Sequence, residues 1–266
     1  MNRIAKKFAT LKKNNKKALI VYMTAGDPSL QKNKESIFEF EKNGVDLIEL
    51  GVPFSDPLAD GPVIQEASNR SLARKTNLIK ILALVKETRK KSQIPILLMS
   101  YLNPILQYGY ERFAKDAKNA GVDGVIVPDL PPEEGAEIAP TLKRAGLDLV
   151  YLLAPTSTPE RTRRVAKASR GFIYFVSITG VTGSATPVET LLRAKLKEIK
   201  KSATLPVCVG FGISTPAQAK AAAKSADGVI VGSAIVKALA THPKLSASQF
   251  AARFIKPFAK ALGKGI

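Results

Sequence analysis

The sequence predicts an α/β fold: a single (β/α)8 TIM barrel over residues 1–266, with an extra N-terminal helix and a short inserted helix after strand 2. Three observations predict it. Eight short, near-continuous apolar runs rich in β-branched residues recur along the chain, as in parallel strands covered by helices. Amphipathic segments separate them, with no linker or low-complexity block between. The length of 266 residues suits one barrel. A doubly wound open sheet is the alternative, but it usually has fewer strands, and no GxGxxG follows the first run.

The elements follow in order. The N-terminus is basic ahead of an apolar segment, as a leader would be. That segment is short, however, and no small-residue cleavage site follows. It reads instead as a basic amphipathic helix, with Ile4, Phe8 and Leu11 on one side, leading into strand Ala18–Met23. The second strand is Asp46–Leu50, and Val63–Leu72 is the inserted helix. Asn77–Lys91 carries Leu78, Ile81, Leu82 and Val85 on one stripe, with Lys80, Lys86 and Lys90 away from it. Strands Ile94–Met99, Gly124–Val127, Leu147–Leu152, Phe172–Ser177, Leu205–Val209 and Gly228–Val231 complete the set, and Ala247–Leu262 is a closing helix. Thr158-Pro159, Thr186-Pro187 and Thr215-Pro216 mark helix starts: threonine caps free N–H groups, and proline at the first helical position gives up no hydrogen bond.

Composition narrows the function. Lys and Arg number 41 against 22 Asp and Glu, a net charge of +19. The lysines are spread over helix faces, there is no Trp, and aromatics make up 6%, so a base-stacking surface is missing and nucleic acid is not an expected partner. No run of about 18 uncharged apolar residues exists, so no membrane span is expected. The single cysteine, Cys208 in LPVCVG, excludes an intrachain disulfide and reads as a small buried hydrophobe; a cytoplasmic location fits this. No His, Cys or carboxylate cluster has metal-ligand spacing, so no metal is expected.

In a barrel the chemistry sits at the C-terminal ends of the strands. There the second strand places Glu49, an acid inside an apolar run, followed at once by Pro53, Asp56 and Asp60. Alternation puts Leu47, Glu49 and Gly51 on one face, which is either the barrel interior or the helix side. Glu49 is thus either an acid/base group or half of a buried ion pair, and Asp56 and Asp60 either serve the site or shape the turn. Gly180-Val181-Thr182-Gly183, Gly210-Phe211-Gly212 and Gly232-Ser233 end later strands. Such glycines either make tight turns or let backbone N–H groups approach an anion, and barrels often hold phosphate there. Tyr174 either lines a pocket or fills the core, and Asp129 either serves the site or caps a helix.

At this point specific words stand out. YMTAGDP (22–28), DLIELGVPFSDPLADGPVIQ (46–65), LMSYLNPI (98–105), GVIVPDLPPEE (124–134), GVTG (180–183), GFGIS (210–214) and GSAIV (232–236) together resemble the tryptophan synthase alpha chain, in order and over nearly the whole chain. The resemblance implies a lyase that cleaves indole-3-glycerol phosphate to indole and D-glyceraldehyde 3-phosphate in L-tryptophan biosynthesis. It implies Glu49 as the acid/base glutamate and Asp60 as the second catalytic group. Tyr22, Tyr174, Thr182, Gly183, Gly212, Gly232 and Ser233 match substrate-binding positions. Pro53 and Asp56 fall in the loop facing a beta chain, the partner in an alpha2-beta2 heterotetramer. Pyridoxal phosphate is expected in that partner and no cofactor in this chain. Two departures are visible: the family often has Phe at the position of Tyr22, and +19 is unusually basic for it. The rivals are another phosphate-binding barrel, such as an isomerase or the synthase that makes indole-3-glycerol phosphate, and a non-catalytic protein using its basic surface. Such a synthase would carry lysines in its strands at the barrel mouth, and these strand interiors lack them.

Overall fold

The computed structural model describes residues 2–176, 188–210 and 212–265. Nine parallel strands form one sheet: β1 Ala18–Thr24, β2 Leu47–Gly51, β3 Ile96–Met99, β4 Gly124–Ile126, β5 Asp148–Val150, β6 Leu152–Leu153, β7 Ile173–Val176, β8 Val207–Gly210 and β9 Gly228–Val231. Their order is β5-β4-β3-β2-β1-β9-β8-β7-β6. The two ends of that list are consecutive in the chain, separated by Tyr151 alone. Val150 pairs with Ile126 of β4, and Leu152 pairs with Tyr174 of β7. One stave therefore bridges both edges and closes the barrel, and the expected run Leu147–Leu152 is divided because its pairing partner changes at Tyr151. Closure leaves no open sheet edge. The third strand starts at Ile96 rather than Ile94, since Pro95 has no N–H to donate.

Side chains alternate between two cores. Ile48, Leu50 and Leu98 face the helix layer, while Ile20, Tyr22, Leu47, Leu97, Met99, Tyr174, Cys208 and Ile230 fill the barrel. The N-terminal helix, Arg3–Lys13, closes the floor: Ile4, Phe8 and Leu11 join the inner core, and the Phe8 and Phe172 rings lie 5.8 Å apart. Carboxylates fix the strand starts. Asp46 accepts from Leu19 N–H (2.8 Å), Asp123 from Ile96 N–H (2.9 Å) and Asp227 from Val207 N–H (3.0 Å).

The helix-start signals hold where they are described. Thr158 accepts from Arg161 N–H, and Thr215 forms a reciprocal cap with Gln218. Thr186-Pro187 lies outside the described residues. The inserted helix spans Pro62–Ala73. The closing helix is interrupted: Ala247–Phe250 and Lys256–Ala261 flank a wider, five-residue π turn at Ala251–Ile255. Pro257 cannot donate to the carbonyl four residues back, and a local widening of the helix accommodates the loss.

Candidate active site

Glu49 sits on β2 in register with Tyr22 of β1 and Leu97 of β3. It points into the barrel, which settles the choice its alternation left open. The residue is 0% exposed, and neither carboxyl oxygen has a hydrogen-bond partner among the described residues. Burial alone pushes its pKa up to about 8. It is therefore a neutral acid around pH 7 and no half of an ion pair.

Two tyrosines flank it. Tyr22 and Tyr174 are buried, and Glu49 is among the charges that oppose ionisation of each. Each ring leans over a glycine on the next strand. A Cβ on Gly51 would come within 2.1 Å of the Tyr22 hydroxyl, and one on Gly210 within 2.4 Å of the Tyr174 hydroxyl. Neither glycine has a positive φ; their service is room.

Asp60 follows in the loop after β2, half-buried. The Tyr101 hydroxyl donates to its Oδ2 (3.1 Å) and accepts from Ala59 N–H (2.9 Å). Burial raises the Asp60 pKa to about 6, and the Tyr101 bond works against that rise. The two acids thus differ: Asp60 is largely ionised at neutrality while Glu49 keeps its proton, the kind of separation that divides acid from base roles.

A cavity of about 310 Å³ opens beside them. It is lined by Tyr22, Asp60, Gly61, Pro62, Val63, Ile64, Met99, Tyr174, Gly212, Ile213, Ile230, Gly232 and Ser233. One wall is apolar. Opposite lies the start of helix Ser233–Thr241, whose cap, Gly232, has no side chain to satisfy the first N–H groups. Open N–H groups and the helix dipole favour an anion there. Gly212 borders the same corner with φ +72°, a conformation that suits glycine. A larger, shallower hollow of about 660 Å³ lies on the outer helix layer near Phe38 and Lys91, away from all these groups.

Of the expected site residues, Glu49, Asp60, Tyr22, Tyr174, Gly212, Gly232 and Ser233 converge on this mouth, although Glu49 lies behind the tyrosines and does not itself line the cavity. Thr182 and Gly183 lie outside the described residues. Pro53 is buried and Asp56 exposed in the loop beyond β2. Asp129 accepts from Leu102 N–H at 3.0 Å and so holds a helix start, and His242 rests on Phe254 with ring centroids 4.9 Å apart. Sequence reasoning missed Tyr101, Gly51 and Gly210 as parts of the site.

A protonated carboxyl in a barrel, an ionised one at its mouth, an apolar slot and an anion-binding helix start together define a barrel enzyme acting on an apolar substrate with an anionic tail. Comparison with known proteins makes this specific. The family model for the tryptophan synthase alpha chain matches residues 8–261. The tryptophan synthase alpha chain of Geobacter sulfurreducens is 51% identical over 263 residues, 99% of this chain and 100% of that one. Its counterpart from Geotalea uraniireducens is 55% identical over 237 residues, 89% of each chain. Among solved structures, subunit alpha from Legionella pneumophila str. Paris superposes with a TM-score of 0.92 at 40% identity, covering 99% of both chains. A chain of the aminoacrylate-bound tryptophan synthase from M. tuberculosis superposes with a TM-score of 0.86 at 34% identity, covering 98% of this chain and 100% of that one.

The chain belongs to the tryptophan synthase alpha chain family. It is a carbon–carbon lyase of L-tryptophan biosynthesis, cleaving indole-3-glycerol phosphate to indole and D-glyceraldehyde 3-phosphate.

Proposed function

We propose that Glu49 is the proton carrier of this cleavage and Asp60 its electrostatic partner. The retro-aldol step needs a proton delivered to indole C3 and a proton removed from the side-chain hydroxyl. The carbon–carbon bond then breaks, its electron pair returns to the ring, and the hydroxyl carbon becomes the aldehyde. One carboxyl near both positions performs both transfers: protonated Glu49 gives its proton to C3, and the carboxylate left behind accepts the hydroxyl proton. C3 protonation places positive charge on the ring nitrogen, and ionised Asp60 at the cavity wall stabilises it. Gly212, Gly232 and Ser233, with the helix start they border, hold the phosphate and so fix the reacting carbons. Tyr22 and Tyr174 wall the indole slot. Thr182 and Gly183, which follow β7 in sequence, are further substrate contacts.

The observation that carries this reading is the Glu49 carboxyl: buried, without a hydrogen-bond partner among the described residues, and neutral near pH 7. A carboxyl serving structure alone would normally be paired. The test is indole release from indole-3-glycerol phosphate. Glu49→Gln is expected to fold and release none above background, and Asp60→Asn to lose at least about a hundredfold, within the range for a general acid or an electrostatic group. Turnover by Glu49→Gln within a few-fold of wild type removes the assignment.

The partner follows from the product. Indole is apolar and is lost if it reaches solvent, so a tryptophan synthase beta chain seated over the mouth, in an alpha2-beta2 heterotetramer, receives it directly. Pro53 and Asp56 lie in the loop that would meet this chain, beside Leu58, an apolar side chain 93% exposed. Pyridoxal phosphate belongs to that beta chain, and none is assigned to this one. We place the assembly in the cytoplasm; among the described residues no helix is long and apolar enough to cross a membrane.

A further inference from the structure

Asp60 has one phenol donor in hand, Tyr101, on Oδ2. A second phenol, Tyr22, lines the same cavity as Asp60. Tyr22 enters from β1, and its hydroxyl lies over Gly51, two residues beyond Glu49 on the side from which the Asp60 loop departs. Among the described residues its one hydrogen bond is shared with the Thr24 hydroxyl, at a long 3.3 Å. Asp60, Glu49 and Tyr101 all oppose its ionisation, Asp60 the most strongly of the three. The phenol therefore keeps its proton and remains a donor.

We propose that Tyr22 is a positioning residue for the cleavage: its hydroxyl leaves Thr24 and donates to Oδ1 of Asp60 when that carboxylate faces the cation forming on the indole ring, so that Asp60 is held between two phenols. The proposal rests on the reading of Asp60 given above. Among the described residues the titratable groups facing Asp60 are Tyr22 from β1, Tyr101 beyond β3 and Tyr174 from β7, with Glu49 of β2 beside Tyr22 and Tyr174. No cation offsets its burial among the described residues. Hydrogen bonds to the ionised form are then what keeps this carboxylate charged in an apolar mouth. Thr24 gives the hydroxyl a neutral resting partner, so the empty site does not leave a buried O–H unmet.

The test is the pH profile of indole formation. Because Asp60 acts ionised, activity falls as pH drops through about 6, the value to which burial brings it. Tyr22→Phe keeps the ring and removes the donor. The acid limb is expected to move up by about one pH unit, the effect of one lost bond to a charged group. kcat should fall several-fold on that limb while KM moves less than twofold. Thr24→Val keeps the shape and removes the competing partner; its acid limb should move down. A Tyr22→Phe limb coincident with wild type overturns the proposal whatever the loss in rate, and so does a Thr24→Val limb that stays put or moves up. Asp60→Asn separates the two readings. An acid limb that survives in that variant means Asp60 was misassigned. A limb lost there but unmoved in Tyr22→Phe sinks Tyr22 alone.

Discussion

Glu49 holds its proton to about pH 8 because burial disfavours its charged form, whereas an exposed glutamate titrates near 4.5. Between those values the folded chain binds a proton that the unfolded chain has released. Stability therefore falls as pH rises from about 4.5 to 8 and is level above that. The full difference is on the order of 5 kcal/mol. Glu49→Gln has no such proton, so denaturant melts of the two proteins should converge at acid pH and separate at alkaline pH, the variant gaining roughly 5 kcal/mol on wild type across the window. A constant difference from pH 5 to 9 would show that Glu49 does not titrate there. This side chain could be read from sequence, because an acid inside an apolar strand is costly and invites an explanation. Tyr101 could not, since its role depends on a strand end crossing to a loop about 40 residues away in sequence. Nor could Gly51 and Gly210, which matter for the atoms they lack.

The inserted helix Pro62–Ala73 carries Asp60 at its doorstep. Gln65 donates to the Asp60 carbonyl at 2.9 Å, binding the loop to the helix. The helix is in turn locked to the segment after β1. Arg70 donates to both oxygens of the 4%-exposed Asp27 (3.0 and 2.8 Å), and the Ser71 hydroxyl donates to the Ala25 carbonyl at 2.5 Å. Asn33, from the next helix, donates to the carbonyls of Thr24 and Asp27 and accepts from Gly26 N–H, fixing that segment from the other side. Arg70→Met should leave a buried carboxylate unpaired, costing about 2 kcal/mol. It should also lower kcat/KM about tenfold by loosening Asp60, with the Glu49-dependent alkaline limb of the pH profile unmoved. Arg70→Lys should recover only part, because a point charge cannot bond both oxygens in a fork. Unchanged kcat/KM in Arg70→Met would separate the helix from the chemistry. The sequence placed this helix to within a residue at each end. Its docking was hidden because Asp27 and Arg70 lie 43 residues apart and only the fold brings them together.

The barrel has two ends with different duties. At the C-terminal end of the strands lie an acid with no partner among the described residues, an open helix start and a cavity, arrangements suited to receiving a substrate. At the other end the carboxylates are met: Asp123 takes Arg3, Arg89 and the Ile96 N–H, and Asp46 takes Lys264 and the Leu19 N–H, while the first helix closes the floor with Ile4, Phe8 and Leu11. The eight apolar runs made this closed architecture readable. What they concealed was where it closes, since only pairing shows that one run serves both β4 and β7. If stability is held at the floor and chemistry at the mouth, a lesion at the floor should separate the two. Phe8 is 7% exposed and packs on Phe172, so Phe8→Ala should cost about 3–4 kcal/mol through lost burial and the cavity left behind. Well below its melting temperature the folded variant should keep kcat/KM for indole formation within twofold of wild type. Measuring both on one preparation decides the matter: a proportionate fall in kcat/KM at a temperature where circular dichroism shows the variant fully folded would mean that floor and mouth are mechanically coupled.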